Sequence, residues 1–308
     1  MTKLAVVVNS NARGVRRAPG LVQRLRAVVG DLGEVVVTHT PAELTECARR
    51  CAADGVDLVA ICGGDGTNLA TLTELVHAYG ADRLPRLALL RGGTVNTIAG
   101  NLGIRGRPEE LAARLVVAVR GGHIATFDQD LLTVDGRYGF LFASLMGARF
   151  LEAYYRNSMT PGPAWAALLA VRTAASSLVQ GPFAGWLFAP TATELIVDGE
   201  RLPDARYRLL VASVVPDVGI GMRVAWQAGQ KARHFHLIAS GISTTSMALQ
   251  LPRVVTGRPL AGAPHVDRLA TRVQVRFAAP LSYTLDGDLF RAETLDLAIG
   301  PRIAIVKS

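Results

Sequence analysis

Three glycine-rich segments carry residue types suited to holding a phosphorylated ligand. Gly63-Gly64-Asp65-Gly66-Thr67 follows the apolar run Val56–Ile61 and leads into a stretch of helical composition from about Asn68 to Tyr79. Glycines at a strand-to-helix junction let the backbone approach a ligand closely, and the helix start offers free N–H groups at a positive dipole end. Thr67 adds a hydroxyl, and Asp65 suits a metal ion or a ribose. The alternative is a tight turn that binds nothing. The segment is neither a Walker A loop nor a Gly-x-Gly-x-x-Gly fingerprint. Gly92-Gly93-Thr94-Val95-Asn96-Thr97 also follows an apolar run, Leu87–Leu90, and here a helix cap by Asn96 is the competing explanation. Asn9-Ser10-Asn11-Ala12-Arg13-Gly14 follows a third run, Leu4–Val8.

Carboxylates in Asp-Gly pairs form a second group of candidates. Asp286-Gly287, Asp198-Gly199 and Asp135-Gly136 all read as hairpin turns. Asp198-Gly199-Glu200 lies before the β-type run Tyr207–Val215, and Asp286 lies late in the chain. His234 and His236 alternate as on one face of a strand, half-buried or facing solvent, with no third metal ligand placed. Cys47 and Cys51, at i and i+4, read as a small buried pair. Ser176, Ser177 and Ser243 lack a nucleophile elbow.

These residues need a scaffold. Apolar runs alternate with amphipathic stretches through the first third, which implies parallel βαβ units. Thr40 is expected to cap a helix from Pro41 to Ala53, with Pro41 in its first turn. Ligands in such sheets sit beyond the carboxyl ends of the strands, where all three glycine segments fall. After about Gly121 the pattern changes to short β-type runs punctuated by turns, with one helical interruption expected from about Pro163 to Val179. Residues 1–124 therefore read as an α/β domain and 125–300 as a β-rich domain. Arg302–Val306 reads as a last strand, and 301–308 are free to return to the first domain.

The 308 residues carry a formal charge of +8 and are 50% hydrophobic and 19% charged, which excludes a disordered chain. The positive balance favours anionic partners. No basic run or RNA-binding aromatic signature points to nucleic acid. Three cysteines are too few for a disulfide framework and suit a reducing cytoplasm. No apolar stretch is long enough to span a bilayer. The stretch Tyr154–Phe188 is rich in aromatic residues, with Arg149, Arg156 and Arg172 nearby. It fits either an ordinary core helix or the wall of a lipid pocket that touches a membrane.

Taken together, the glycine segments resemble the diacylglycerol kinase catalytic-domain family, the lipid kinases that include sphingosine and ceramide kinases and are related to NAD kinases. That family has an Asn-Pro-x-Ser-Gly-like loop, a Gly-Gly-Asp-Gly-Thr motif and a Gly-Thr-x-Asn-Asp loop. Here these are Asn9 to Gly14, Gly63 to Thr67, and Gly93 to Thr97. The domain order also agrees over most of the chain. The resemblance implies an NAD-kinase-like, mostly parallel α/β domain followed by a β-rich, sandwich-like domain, with ATP between them.

It also implies an ATP- and Mg²⁺-dependent kinase for a lipid hydroxyl, diacylglycerol first, with a sphingoid base or ceramide as alternatives. A soluble acceptor such as NAD, and an inactive nucleotide-binding regulator, stay open. The implied ATP contacts are Asn9, Ser10, Asn11, Thr40, Gly63, Gly64, Asp65, Gly66, Thr67, Gly93, Thr94 and Asn96, with Asp65 toward the catalytic Mg²⁺. Asp286, in an Asp-Gly-Glu-like turn, is the implied general base. The expected setting is a cytoplasmic enzyme working peripherally at an anionic membrane surface, with a homodimer left open. The sequence departs from the family at Ser10, at Asn68-Leu69, at Thr97 in place of an Asp, and at Ala228–Arg233, where an acidic loop would hold a structural metal. No structural metal is expected.

Overall fold

The computed structural model describes residues 2–156, 163–178 and 181–307. They form two compact units. The first comprises Met1–Leu131, Gly136–Gly139 and Gly300–Ser308; the second comprises Leu132–Asp135 and Phe140–Ile299. In chain order the first unit opens with β1 (Leu4–Asn9), α1 (Arg13–Arg16), α2 (Leu21–Val29), β2 (Gly33–Thr38) and α3 (Pro41–Ala53). Then come β3 (Leu58–Cys62), α4 (Asp65–Tyr79), β4 (Arg86–Leu89), α5 (Thr97–Asn101) and α6 (Pro108–Arg120). Strands β5 (Thr126–Val134) and β6 (Arg137–Gly139) follow.

The second unit continues with β7 (Leu141–Leu145), α7 (Met146–Arg156), α8 (Pro163–Leu178), α9 (Pro182–Leu187), β8 (Thr191–Val197), β9 (Glu200–Arg201) and β10 (Ala205–Tyr207). It ends with β11 (Leu209–Ser213), β12 (Phe235–Ser240), α10 (Thr244–Leu249), α11 (Leu251–Val255), β13 (His265–Ala270), β14 (Arg272–Leu285) and β15 (Asp288–Val306).

In the first unit, parallel strands run in the order β2, β1, β3, β4. The last residues of β15 lie parallel beside β4, with Ile305 opposite Leu87. Leu4–Val8 and Leu58–Cys62 are buried at every position, as continuous apolar runs in a parallel sheet covered on both faces must be. Register places Asn9 opposite Thr38 and Val8 opposite Cys62, so β1, β2 and β3 finish level with one another. Thr40 caps α3 by accepting the Glu43 N–H (3.2 Å), with Pro41 in the first turn. Helix α4 starts at Asp65, three residues before the expected Asn68, because Gly64 is extended and serves as its N-cap. Gly66 and Thr67 therefore belong to the helix's first turn.

The second unit is antiparallel, with β13, β12, β11, β7, β14 and β15 as successive neighbours and β8 also paired to β14. The expected single helical interruption is in fact three helices, α7 to α9, with two more, α10 and α11, further on. Pro163 opens α8, and Pro182 opens α9 behind an extended Gly181 N-cap. Val179, the expected end of the interruption, lies outside the described residues. Helices α7 and α8 share a small core of Ala153, Tyr154, Ala166 and Leu169.

The histidine expectation needs correction. His234 precedes β12, whereas His236 lies within it and is fully buried. His236 Nδ1 accepts the Gln227 N–H (3.3 Å), so its Nε2–H donates to Asp267 Oδ1 (2.5 Å). Asp267 also accepts from Trp226 Nε1 and Gln227 Nε2. Cys47 and Cys51 are buried, as read from the sequence.

Candidate functional site

The three glycine segments meet at the carboxyl ends of β1, β3 and β4. They meet backbone to backbone, and the missing side chains make that possible. A Cβ on Gly14 would collide with the Gly92 carbonyl, and one on Gly93 with Gly64 Cα. A Cβ on Gly92 would stand 2.9 Å from Gly63 N and 3.0 Å from Cys62 Sγ. None of these glycines needs a left-handed backbone, so the requirement is for space alone.

Side chains stitch the segments together. Asn9 Nδ2 donates to Thr67 Oγ1 (2.8 Å), which joins the first loop to the first turn of α4. Thr67 keeps its own hydroxyl proton for a ligand. Ser10 Oγ donates to the Thr38 carbonyl (3.0 Å), and Asn11 Nδ2 to the His39 carbonyl (2.7 Å). Both side chains thus fasten the first loop to the β2–α3 junction. Thr40 is occupied as a helix cap. Asn96 sits at φ 54, and its amide bridges Gly93 in both directions, accepting from the N–H and donating to the carbonyl (both 3.0 Å). Thr94 is half-buried in the turn that Asn96 closes. Several residues assigned to the ligand by motif are therefore committed to shaping the loops.

Asp65 shows this most clearly. Its Oδ2 accepts the Thr97 N–H (2.8 Å) and its Oδ1 the Ile98 N–H (3.0 Å). It caps α5 from another segment, where Asn96 makes no cap bond of its own. Burial pushes its carboxyl up, and the two N–H groups and the nearby Arg91 charge pull the other way. Each oxygen accepts one N–H, and the carboxylate keeps further lone pairs beyond these two bonds. Among the described residues, no group of three His, Cys, Asp or Glu side chains is able to hold a metal ion. The Thr97 departure also has a physical meaning: the Thr97 side chain adds a hydrogen bond to Asp65, where an Asp would bring a second carboxylate.

Arg91 was not singled out in the sequence. It ends the β4 segment at φ 50, and its Nε is buried without a hydrogen-bond partner. The available signal was a lone cation directly before Gly92-Gly93 at a strand end.

In the second unit, Asp286-Gly287 is the two-residue turn between β14 and β15, closed by the Leu285–Asp288 pair. Both turn residues have positive φ, 49 and 92, as a type I′ hairpin requires. The Asp286 side chain is 3% exposed. Its Oδ1 accepts the N–H of Phe140 (3.0 Å) and of Leu141 (2.8 Å), and its Oδ2 lies 3.2 Å from Phe140 N. Tyr155 Oη donates to the Gly287 carbonyl (3.1 Å). Asp198-Gly199 is built the same way. Its carboxylate accepts from Thr271 N, Thr271 Oγ1 and Arg272 N, and these bonds outweigh burial to hold it below the usual range. Asp135 repeats the device on Asp296 N. The turn reading therefore holds for all three pairs, and what sets Asp286 apart is its depth.

Comparison with known proteins agrees with this geometry. Residues 3–128 match the family model for the diacylglycerol kinase catalytic domain. Over 103 residues the chain is 36% identical to "Probable lipid kinase YegS-like" of Stenotrophomonas maltophilia (strain K279a). That alignment covers 33% of this chain and 31% of the relative, so it spans about a third of either protein. A solved diacylglycerol kinase from Bacillus anthracis str. Sterne has the same fold, with a TM-score of 0.64 at 13% identity over 100% of this chain and 97% of that one. An NAD kinase from Archaeoglobus fulgidus, solved in complex with ATP, gives a TM-score of 0.52 at 15% identity over 99% and 94%. The fold is that of an α/β unit with parallel strands followed by an antiparallel β-rich unit, as the sequence resemblance implied.

Proposed function

We propose that this protein transfers the γ-phosphate of ATP to a hydroxyl group of a lipid, with diacylglycerol as the foremost acceptor. The carrying observation is the junction of Gly14, Gly63, Gly64, Gly92 and Gly93, where bare backbone gathers at the ends of parallel strands beside the α4 N-terminus, within the stretch that matches a kinase catalytic domain. The first-turn N–H groups of α4 beside it have no helical acceptor and suit a phosphate.

In this reading the loops around Gly64 and Gly93 bind the phosphates, and Thr67 donates its remaining proton. Arg91 supplies positive charge directly beside the Gly92-Gly93 turn. Mg²⁺ bound with the nucleotide would add charge neutralisation, and Asp65 is the carboxylate of the glycine junction nearest to assist it. Phosphoryl transfer asks chiefly for positioning and electrostatic stabilisation. Asp286 is assigned the proton of the acceptor hydroxyl. Phe140 and Leu141 N–H fix its orientation.

A phosphotransfer assay tests the proposal. Purified protein is incubated with γ-labelled ATP, Mg²⁺ and mixed micelles of diacylglycerol, monoacylglycerol, ceramide or sphingosine, with NAD in a separate tube. Label in one lipid supports the reading and names the acceptor. Label only in the NAD tube moves the protein to a soluble acceptor. ATP binding with no label anywhere favours a nucleotide-binding regulator.

A further inference from the structure

The helices of the second unit carry an apolar surface that their own packing leaves uncovered. On α8, Ala164, Leu168, Val171 and Ala175 are exposed at i, i+4, i+7 and i+11, one face of the helix, while Ala166 and Leu169 face its core. Leu168 is 57% and Val171 66% exposed. Helices α9 and α10 both pack on α8. Trp186 of α9 and Leu249 of α10 are also exposed, Leu249 at 69%. Single exposed apolar residues are ordinary, but these stand on α8 and on two helices packed against it.

The charge around them has one sign. No Asp or Glu occurs from Ala153 to Thr193, or from Val218 to Val266. Every charged side chain in those stretches is Lys or Arg. Arg172 on α8 lies over the Phe183 ring, 4.7 Å from its centre, and Phe183 and Trp186 rings are 6.0 Å apart. An aromatic pair with a cation above it suits the headgroup layer of a bilayer, and aliphatic side chains beside it suit the acyl boundary. A second copy of the chain would bring the same cations face to face, which disfavours that occupant.

We propose that the α8–α9–α10 surface docks on an anionic phospholipid bilayer. Leu168, Val171 and Leu249 enter the acyl boundary, Trp186 lies at headgroup depth, and Arg172 and Arg253 meet lipid phosphates. This deepens the lipid-kinase reading and rests on it for purpose, but vesicle binding is measurable without ATP or acceptor.

The test is flotation of the full chain with vesicles of phosphatidylcholine alone or mixed with phosphatidylglycerol. The expected result is binding to the mixed vesicles, about tenfold or more weaker on pure phosphatidylcholine and in L168Q/V171Q/L249Q. R172Q/R253Q should lose most of the preference for anionic vesicles. The apolar groups face solvent, so the triple variant should melt like wild type; the arginine variant gives up the Arg172 contact to Phe183 and the bond from Arg253, on α11, to the Pro259 carbonyl, and should melt within a few degrees of it. Vesicles should shift tryptophan emission to the blue, and Trp186→Phe should remove most of that shift. Wild-type binding equal to that of the apolar triple variant overturns the proposal. So does a wild-type dimer that the triple variant turns into a monomer without vesicle binding. Vesicle binding without phosphotransfer removes the kinase reading alone. Turnover of dispersed short-chain diacylglycerol without vesicle binding removes the docking surface alone.

Discussion

Replacing Gly93 with Ala adds one methyl group where the loops touch. The new Cβ would overlap Gly64 Cα and stand 2.8 Å from Asn96 Oδ1 and 3.1 Å from Gly64 N. Ordinary contacts between such atoms lie near 3.5 Å, so the loops must part by roughly 0.5–1 Å. Two of these neighbours are backbone atoms, which do not swing aside. The two 3.0 Å bonds between Gly93 and Asn96 stretch with the movement. Overpacking costs about 1–3 kcal/mol, and the two weakened hydrogen bonds about 0.5–1.5 kcal/mol each, for a total of about 2–6 kcal/mol. Misplacing a site by about 1 Å lowers its efficiency by up to about 100-fold, so ATP affinity should fall tenfold or more. Gly100→Ala is the matched control. It lies in α5 with nothing within 4 Å of its would-be Cβ, and it should be neutral or stabilise by up to about 1 kcal/mol. Urea unfolding and calorimetric ATP titration of both variants decide the matter. A Gly93→Ala protein within 0.5 kcal/mol of wild type, roughly the scatter of neutral surface changes, and with unchanged ATP affinity would refute the claim that bare backbone contact builds the site.

Three further perturbations probe other parts of the argument. Arg91→Gln should weaken ATP binding by about tenfold while leaving the melting temperature nearly unchanged, since one phosphate-facing charge contributes about 1–2 kcal/mol; equal affinity would remove Arg91 from the site. Asp286→Asn should abolish turnover with ATP affinity within about threefold of wild type, because the nucleotide loops lie elsewhere; near-normal turnover would end its assignment as base. Asp267 is desolvated, yet the hydrogen bond from His236 first, with Trp226 and the nearby His265 ring contributing, holds its carboxyl below the usual range. A carboxyl lowered in the folded state stabilises above its unfolded value of about 3.9 and loses that contribution as pH falls below it. Asp267→Asn should therefore be about 2–4 kcal/mol less stable at pH 7, with the gap narrowing below about pH 4; a gap independent of pH would show that the charge plays no part.

The sequence displays the glycine junction well because its signals are local. Apolar runs followed at once by Gly-Gly or Asn-Ser mark strand ends, and parallel strands finishing together bring those ends to one place. Thr40 and Pro41 announce their helix within three residues. What stayed hidden depends on distant partners. Asp65 caps a helix that begins 32 residues later at Thr97, a pairing with no local trace. His236 looked like an outward strand residue because its partner, Asp267, arrives from another strand. The three Asp-Gly turns were legible as turns. The depth of Asp286 was not, since it depends on the Phe140-Leu141 backbone 145 residues away.

Cys62 lies directly beneath the glycine junction, at zero exposure, where a Cβ on Gly92 would touch its sulfur. Burial pushes its thiol up to about 12, so in the closed protein it is both shielded and protonated. A thiol reagent can react only after the Gly92 segment lifts. With Cys47 and Cys51 replaced by Ala, the rate of Cys62 labelling becomes a clock for that local opening, and ligands that clamp the loops should slow it in proportion to their occupancy. The residue that seals the floor of the junction thus doubles as a native gauge of how often the junction breathes.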